Sequence, residues 1–216
     1  MKQLIVALDD MPMETAIGFA KMFSGKVWGF KVNDLLLEYG VQVIKELRNY
    51  GEVFADPKLH DTPGTVFNAA SRLSKAGASI ITVHASGGAD MLKHALNAVS
   101  GRKTTIAAVT TLTSLDDDSV RTIYRGYPVQ RFTETFREIG ITTVVCAGRE
   151  CDIYKALDLK AICPGFRPFG KVAFDDQKRL ADVDINADYF VVGRPILSHA
   201  DPVEAIEKIN EKFKAY

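Results

Sequence analysis

The sequence predicts an α/β fold, a single (β/α)8 barrel of the TIM type spanning residues 1–216. Three observations predict it. Eight short β-rich runs recur along the chain, they are apolar almost throughout, and polar or charged residues gather at their C-terminal ends. Near-continuous apolar runs mark strands buried on both faces, as in a parallel sheet. Strands alternating with helical patterns build either a barrel or a doubly wound sheet. A barrel brings all eight strand ends around one mouth, whereas an open sheet would spread them along an edge.

The runs cover residues 4–8, 27–32, 53–55, 79–84, 105–110, 142–146, 160–163 and 189–192. The helical patterns between them have readable ends. Thr62 is placed to cap a helix with Pro63 at its first position; Val66, Ala70 and Leu73 share a face, and Gly77 closes it. Met91, Leu92, Ala95, Leu96 and Val99 form a second apolar stripe. In the last helix Asp201 is the cap, Pro202 the first residue and Glu204 part of a box-like start, with Val203, Ile206, Ile209 and Phe213 facing inward.

Composition narrows the class of function. Hydrophobic content of 47% and charged content of 25% are those of an ordinary soluble domain. Basic and acidic residues balance at 27 each, so no bulk field favours nucleic acid or an anionic membrane. The opening MKQLIVALDD meets two aspartates too soon for a signal peptide and reads as the first strand. No apolar stretch approaches the roughly 20 residues needed to cross a bilayer. The cysteines, Cys146, Cys151 and Cys163, are odd in number and lack metal-like spacing. Cys146 and Cys163 lie in apolar runs as core filler, and a reduced cytoplasm is the expected compartment.

The chemistry gathers in ADPKLHD, residues 55–61. On a strand, alternation sends Asp56 and Lys58 to one face, with Asp61 just beyond. Asp9 ends the first run and Lys31 lies near the end of the second, so both can neighbour that pair across strands about 4.8 Å apart. A salt bridge closing the mouth is the structural alternative. Burying several charges for stability alone is unfavourable because desolvation can exceed the Coulomb gain. Alternating lysines and aspartates favour one another's charged forms, so the array is a functional candidate.

A second feature lies in Val191-Val192-Gly193-Arg194-Pro195-Ile196. There a glycine permits close backbone approach and an arginine suits a phosphate dianion. The preceding loop, from Pro164-Gly165-Phe166-Arg167-Pro168 to Asp175-Asp176-Gln177, adds glycines, an arginine and an amide. Loops after the seventh and eighth strands are where such barrels bind phosphate. His84 reads equally as a structural histidine or a ligand contact, His60 as structural, and His94 and His199 as surface residues. No His, Cys and carboxylate set makes a persuasive metal site, and no Gly-x-Ser-x-Gly elbow occurs.

Phe54-Ala55-Asp56-Pro57-Lys58-Leu59-His60-Asp61-Thr62-Pro63-Gly64-Thr65 resembles the Asp-x-Lys-x-x-Asp signature of the orotidine 5'-monophosphate decarboxylase family. The likeness continues through Val6-Ala7-Leu8-Asp9, Phe30-Lys31-Val32, Val83-His84-Ala85-Ser86-Gly87-Gly88, Thr110-Thr111-Leu112-Thr113 and Val192-Gly193-Arg194-Pro195. It implies a homodimeric barrel that needs no metal or organic cofactor and converts orotidine 5'-monophosphate to uridine 5'-monophosphate. By that resemblance Lys58 is the proton donor, Asp56 faces the substrate carboxylate, and Lys31 completes the network. Asp61 and Thr65 reach into the neighbouring subunit's site. Asp9 and Lys31 contact the ribose, Thr113 the pyrimidine, and Arg167, Gln177, Gly193 and Arg194 the phosphate, with Gln177 on a closing loop.

The chain departs from the common pattern at Thr62, Gly64 and Asn33, and the segment between Gln177 and the last strand is short. Two other readings stand beside this one. A magnesium-dependent sugar-phosphate decarboxylase or aldolase of similar barrel shares an Asp-x-Lys-x-x-Asp-like core. A non-catalytic phosphate-binding barrel explains Gly193 and Arg194 but gives the charged cluster no work.

Overall fold

The computed structural model describes residues 2–126, 128–170 and 185–214. Eight parallel strands close into a barrel in sequence order: β1 (Gln3–Ala7), β2 (Gly29–Val32), β3 (Glu52–Leu59), β4 (Ile80–His84), β5 (Thr105–Val109), β6 (Thr143–Val145), β7 (Lys160–Pro164) and β8 (Tyr189–Val192). The last returns to the first, with Gln3 opposite Tyr189 and Val6 opposite Val192. Helix α1 (Met13–Phe23) follows β1; α2 (Asp34–Tyr39) and α3 (Gln42–Leu47) follow β2; α4 (Pro63–Ala76) follows β3; α5 (Gly88–Ala98) follows β4. Then α6 (Asp117–Tyr124) and α7 (Val129–Ile139) follow β5, α8 (Cys151–Lys155) follows β6, and α9 (Arg194–Leu197) and α10 (Pro202–Lys214) follow β8.

Strand alternation divides the apolar residues into two cores. Ile5, Phe54, Ile80, Val109, Ile162 and Val191 point inward and fill the barrel. Leu4, Val6, Phe30, Val53, Ile81 and Phe190 point outward against the helices. Each such side chain, fully buried, contributes about 1.5–3 kcal/mol of transfer free energy. Gly29 serves the closure directly: a Cβ there would lie 2.0 Å from the Glu52 carbonyl oxygen, the residue paired with it across β2 and β3. At the barrel floor Trp28 meets Tyr189 edge to face at 5.1 Å.

The expected helix ends are partly corrected. Asp201 caps α10 as expected, its Oδ1 accepting the Val203 and Glu204 amides at 3.0 and 3.1 Å. Glu204 instead pairs with Lys208 at 2.9 Å. Thr62 occupies the N-cap of α4 by backbone position alone, because its hydroxyl pairs with Thr65 Oγ1 at 3.0 Å. The third strand runs four residues past the expected Ala55, through Leu59, and that extension carries the candidate chemistry. All three cysteines are free and buried, with Cys146 and Cys151 sulfurs 3.8 Å apart. Among the described residues no helix is long and apolar enough to cross a membrane.

Candidate active site

The inward positions that are apolar at the barrel floor become polar toward the C-terminal mouth. Lys31 on β2, Asp56 on β3 and Thr82 on β4 are all buried there, with Lys31 8% and Asp56 6% exposed. Lys31 Nζ lies 2.6 Å from Asp9 Oδ2, just past β1, and 3.7 Å from Asp56 Oδ2. Lys58 Nζ lies 2.6 Å from the same Asp56 oxygen. Charges therefore alternate across neighbouring strands as Asp9, Lys31, Asp56 and Lys58. This order keeps every buried charge beside an opposite one and limits the desolvation cost.

Simple alternation does not explain how Asp56 and Lys58 meet. The register between β3 and β4 shifts between Ala55 and Leu59, and Lys58 has φ of 48°, the left-handed region. A non-glycine residue rarely occupies that region, and such strain clusters at functional sites. The irregular segment re-aims the lysine. Thr82, which the sequence reading passed over, bridges it: its hydroxyl donates to Asp56 Oδ1 at 2.8 Å and accepts the Lys58 amide at 2.9 Å. Asn33 Nδ2 donates to the Asp56 carbonyl at 2.6 Å. The departure from the common pattern at Asn33 thus ties β2 to the same bulge. Asp34 Oδ2 accepts the Asp10 amide at 2.8 Å and links the loops after β1 and β2.

Asp9, Lys31, Asn33, Asp34, Asp56 and Lys58 line a cleft of about 840 Å³ that also takes in Thr113, Arg167, Gly193 and Arg194. Its volume falls within the range of small-molecule sites. Gly165, with φ of 80°, turns the chain out of β7 into the arginine-bearing loop. Asp61 and Thr65 are exposed and do not line the cleft, and within one chain the ion pair of Lys58 is with Asp56. Asp61 Oδ1 instead accepts the Thr62 amide at 2.6 Å. Gln177 lies outside the described residues. His84 is half-buried, its ring 5.3 Å from that of His60. Burial, then His60 and Lys58, push its pKa below the ordinary imidazole value, against an opposing pull from Asp56.

Fold and cleft together define a class: a (β/α)8 barrel with an ammonium–carboxylate chain at its C-terminal mouth, sharing one cleft with two arginine-bearing segments that follow β7 and β8. Residues 2–209 match the Orotidine 5'-phosphate decarboxylase / HUMPS family, and the chain belongs to that family. It is 36% identical to orotidine 5'-phosphate decarboxylase of Nitrosomonas eutropha, covering 98% of this chain and 96% of that protein. It is 34% identical to the Ehrlichia chaffeensis protein of the same name, covering 95% and 94%. The crystal structure of orotidine 5'-phosphate decarboxylase from Lactobacillus acidophilus superposes with a TM-score of 0.79 at 31% identity, covering 99% of both chains.

Proposed function

We propose that this protein decarboxylates orotidine 5'-monophosphate to uridine 5'-monophosphate and carbon dioxide, the last step of de novo UMP synthesis, in the cytoplasm. The observation that carries the reading is the Lys58 ammonium, 2.6 Å from Asp56 Oδ2 at the wall of the cleft.

Breaking the bond between C6 and the carboxylate leaves an electron pair in the plane of the pyrimidine, where the ring delocalises it poorly. A cation already in place lowers the energy of that charge without reorganising as it forms. Lys58 supplies the cation and then delivers a proton from Nζ to C6, giving UMP. Asp56 directs the Lys58 ammonium through their 2.6 Å ion pair, and its own carboxylate beside the substrate carboxylate disfavours the bound ground state. Lys31, held by Asp9 and Asp56, balances that negative charge. Asp9 and Lys31 face the ribose and Thr113 the pyrimidine. Arg167, Gly193, Arg194 and Gln177 hold the phosphate, and that remote binding energy orders the reacting end.

Asp61 and Thr65 complete the site of a second subunit in a homodimer. Their exposure beside the mouth supports this, as do the exposed Leu37 (92%) on α2 and Phe67 (39%) on α4, in neighbouring units of the barrel. The family description also covers sugar-phosphate enzymes, which supports a magnesium-dependent reading. Against it, the Lys31 ammonium occupies the position between the Asp9 and Asp56 carboxylates. Turnover of the orotate nucleotide that survives a chelator separates the two.

Lys58→Ala should lower turnover by at least about a thousandfold, followed by loss of orotate absorbance, while still binding UMP. Mixed with Asp61→Ala subunits under conditions of exchange, it should regain activity through hybrids with one intact site. Near-normal turnover by Lys58→Ala alone would remove Lys58 as proton donor, and absence of recovery in exchanged mixtures would remove the shared site.

A further inference from the structure

The loop that carries Arg167 is gripped on both sides of that residue by one turn of the C-terminal helix. On one side Phe166 is fully buried, its ring 4.8 Å from Phe190 of β8 and 6.0 Å from Phe213 of α10. The Phe190 and Phe213 rings lie 4.8 Å apart, so the three aromatics form a closed cluster. On the other side Lys212 Nζ donates to the Pro168 carbonyl at 2.9 Å and stands 5.7 Å from the centroid of the Phe169 ring. Phe169 in turn faces His199 at 5.7 Å. Adjacent residues of α10 thus fix positions 166, 168 and 169, leaving the arginine between them to face the cleft.

Neither Lys212 nor Phe213 lines that cleft. The contacts are nevertheless more specific than packing requires. A partly buried ammonium bound to one loop carbonyl is a charge-assisted hydrogen bond. Its cation also lies over the face of an aromatic ring, a second attraction at the same atom. A long, rotamer-rich arginine holds an anion well only if its backbone is already ordered, because ordering on binding subtracts from affinity.

From this geometry we infer that the last turn of α10 is a positioning element for Arg167, and that Lys212 sets the preference for a phosphorylated over an unphosphorylated ligand. The inference rests on the reading that Arg167 holds the substrate phosphate. Lys212 is a positioning residue and touches no substrate.

The test is steady-state kinetics of the full chain with orotidine 5'-monophosphate and with orotidine, the same nucleoside without phosphate. Lys212→Met keeps the apolar stem and removes the donor. It should raise KM for the nucleotide about fivefold with kcat within about twofold, and leave kcat/KM for orotidine unchanged. Lys212→Arg should restore most of the loss. Phe169→Leu, which removes only the ring beneath the ammonium, should show the same split at about twofold and serves if Lys212→Met does not fold. Arg167→Ala is the reference and should discriminate more strongly in the same sense. Equal losses on both substrates, or no split in either α10-contact variant while Arg167→Ala discriminates, would overturn the inference. An Arg167→Ala variant that fails to discriminate would instead overturn the phosphate reading beneath it.

Discussion

One strand, β3, carries a charged cluster at each of its ends, and the two are built differently. At the floor, Glu52 accepts from the Arg48 guanidinium and from the Ser79 hydroxyl, and both charged side chains are about four-tenths exposed. At the mouth, Asp56 is shared by two lysines, Lys31 and Lys58, and takes a further hydrogen bond from Thr82. The floor cluster matches one cation to one anion, and water screens both, so it contributes little stability. Burial raises the Glu52 pKa, but Ser79 and then Arg48 outweigh it and hold that carboxyl below its ordinary value. The mouth cluster buries Asp56 and Lys31, leaves Lys58 partly exposed, and surrounds one carboxylate with two ammonium groups. Stability alone does not favour such an arrangement. Preorganised charge does, where a reaction creates an anion.

This contrast can be sharpened at Thr82, whose counterpart at the floor is Ser79, a hydroxyl that likewise donates to a β3 carboxylate, Glu52, and accepts a β3 amide, Val53, at 3.3 Å. Thr82→Val keeps the side-chain shape and removes the hydroxyl that joins the Asp56 carboxylate to the Lys58 amide. Loss of a hydrogen bond to a charged group in a buried site should lower kcat roughly ten- to a hundredfold, with KM for the nucleotide nearly unchanged. Thr82→Ser should recover most of it. A Thr82→Val enzyme with wild-type kcat would show that the bulge holds itself.

At the other end, Glu52→Gln should leave kcat unchanged and lower Tm at neutral pH by roughly 1–3 °C. A carboxyl whose proton affinity falls on folding stabilises the fold above its unfolded pKa and loses that contribution as pH drops through the folded value. The Tm difference should therefore vanish in acid, as calorimetry at the two pH values would reveal. A kcat that falls with Glu52→Gln would break the division between the ends.

The smallest effect concerns His84. Its imidazole has a lowered proton affinity in the fold, so the folded chain binds fewer protons than the unfolded one near the ordinary value of 6.5. Stability should decline as pH falls through that value and level off below the folded one. His84→Gln should flatten the decline, read from unfolding free energies between about pH 7 and pH 5. An unchanged slope would mean that His84 protonates as freely inside the fold as outside it.

The barrel was legible because a strand buried on both faces has an apolar signature that few other elements share. The charged array was legible for the converse reason: Asp56 and Lys58 stand out at the end of an apolar run. Thr82 was not, since threonine is an ordinary β-former and nothing in Ile80-Ile81-Thr82-Val83 marks its hydroxyl as a bridge. The left-handed turn at Lys58 was hidden as well, because lysine has no preference for it and the tertiary contacts impose it. Thr62 misled by type: its sequence position is that of a cap, but its hydroxyl is taken by Thr65. The pairing of Lys212 with Pro168 joins residues 44 apart and leaves no local trace.

Trp28 is the chain's only tryptophan, and its ring touches Tyr189 on the strand that completes the circle. The molecule therefore contains an optical gauge of its own seam. Indole emission reports whether the final strand has docked, from the opposite end of the barrel to the nucleotide cleft, so refolding can be timed by fluorescence without a dye or an added label.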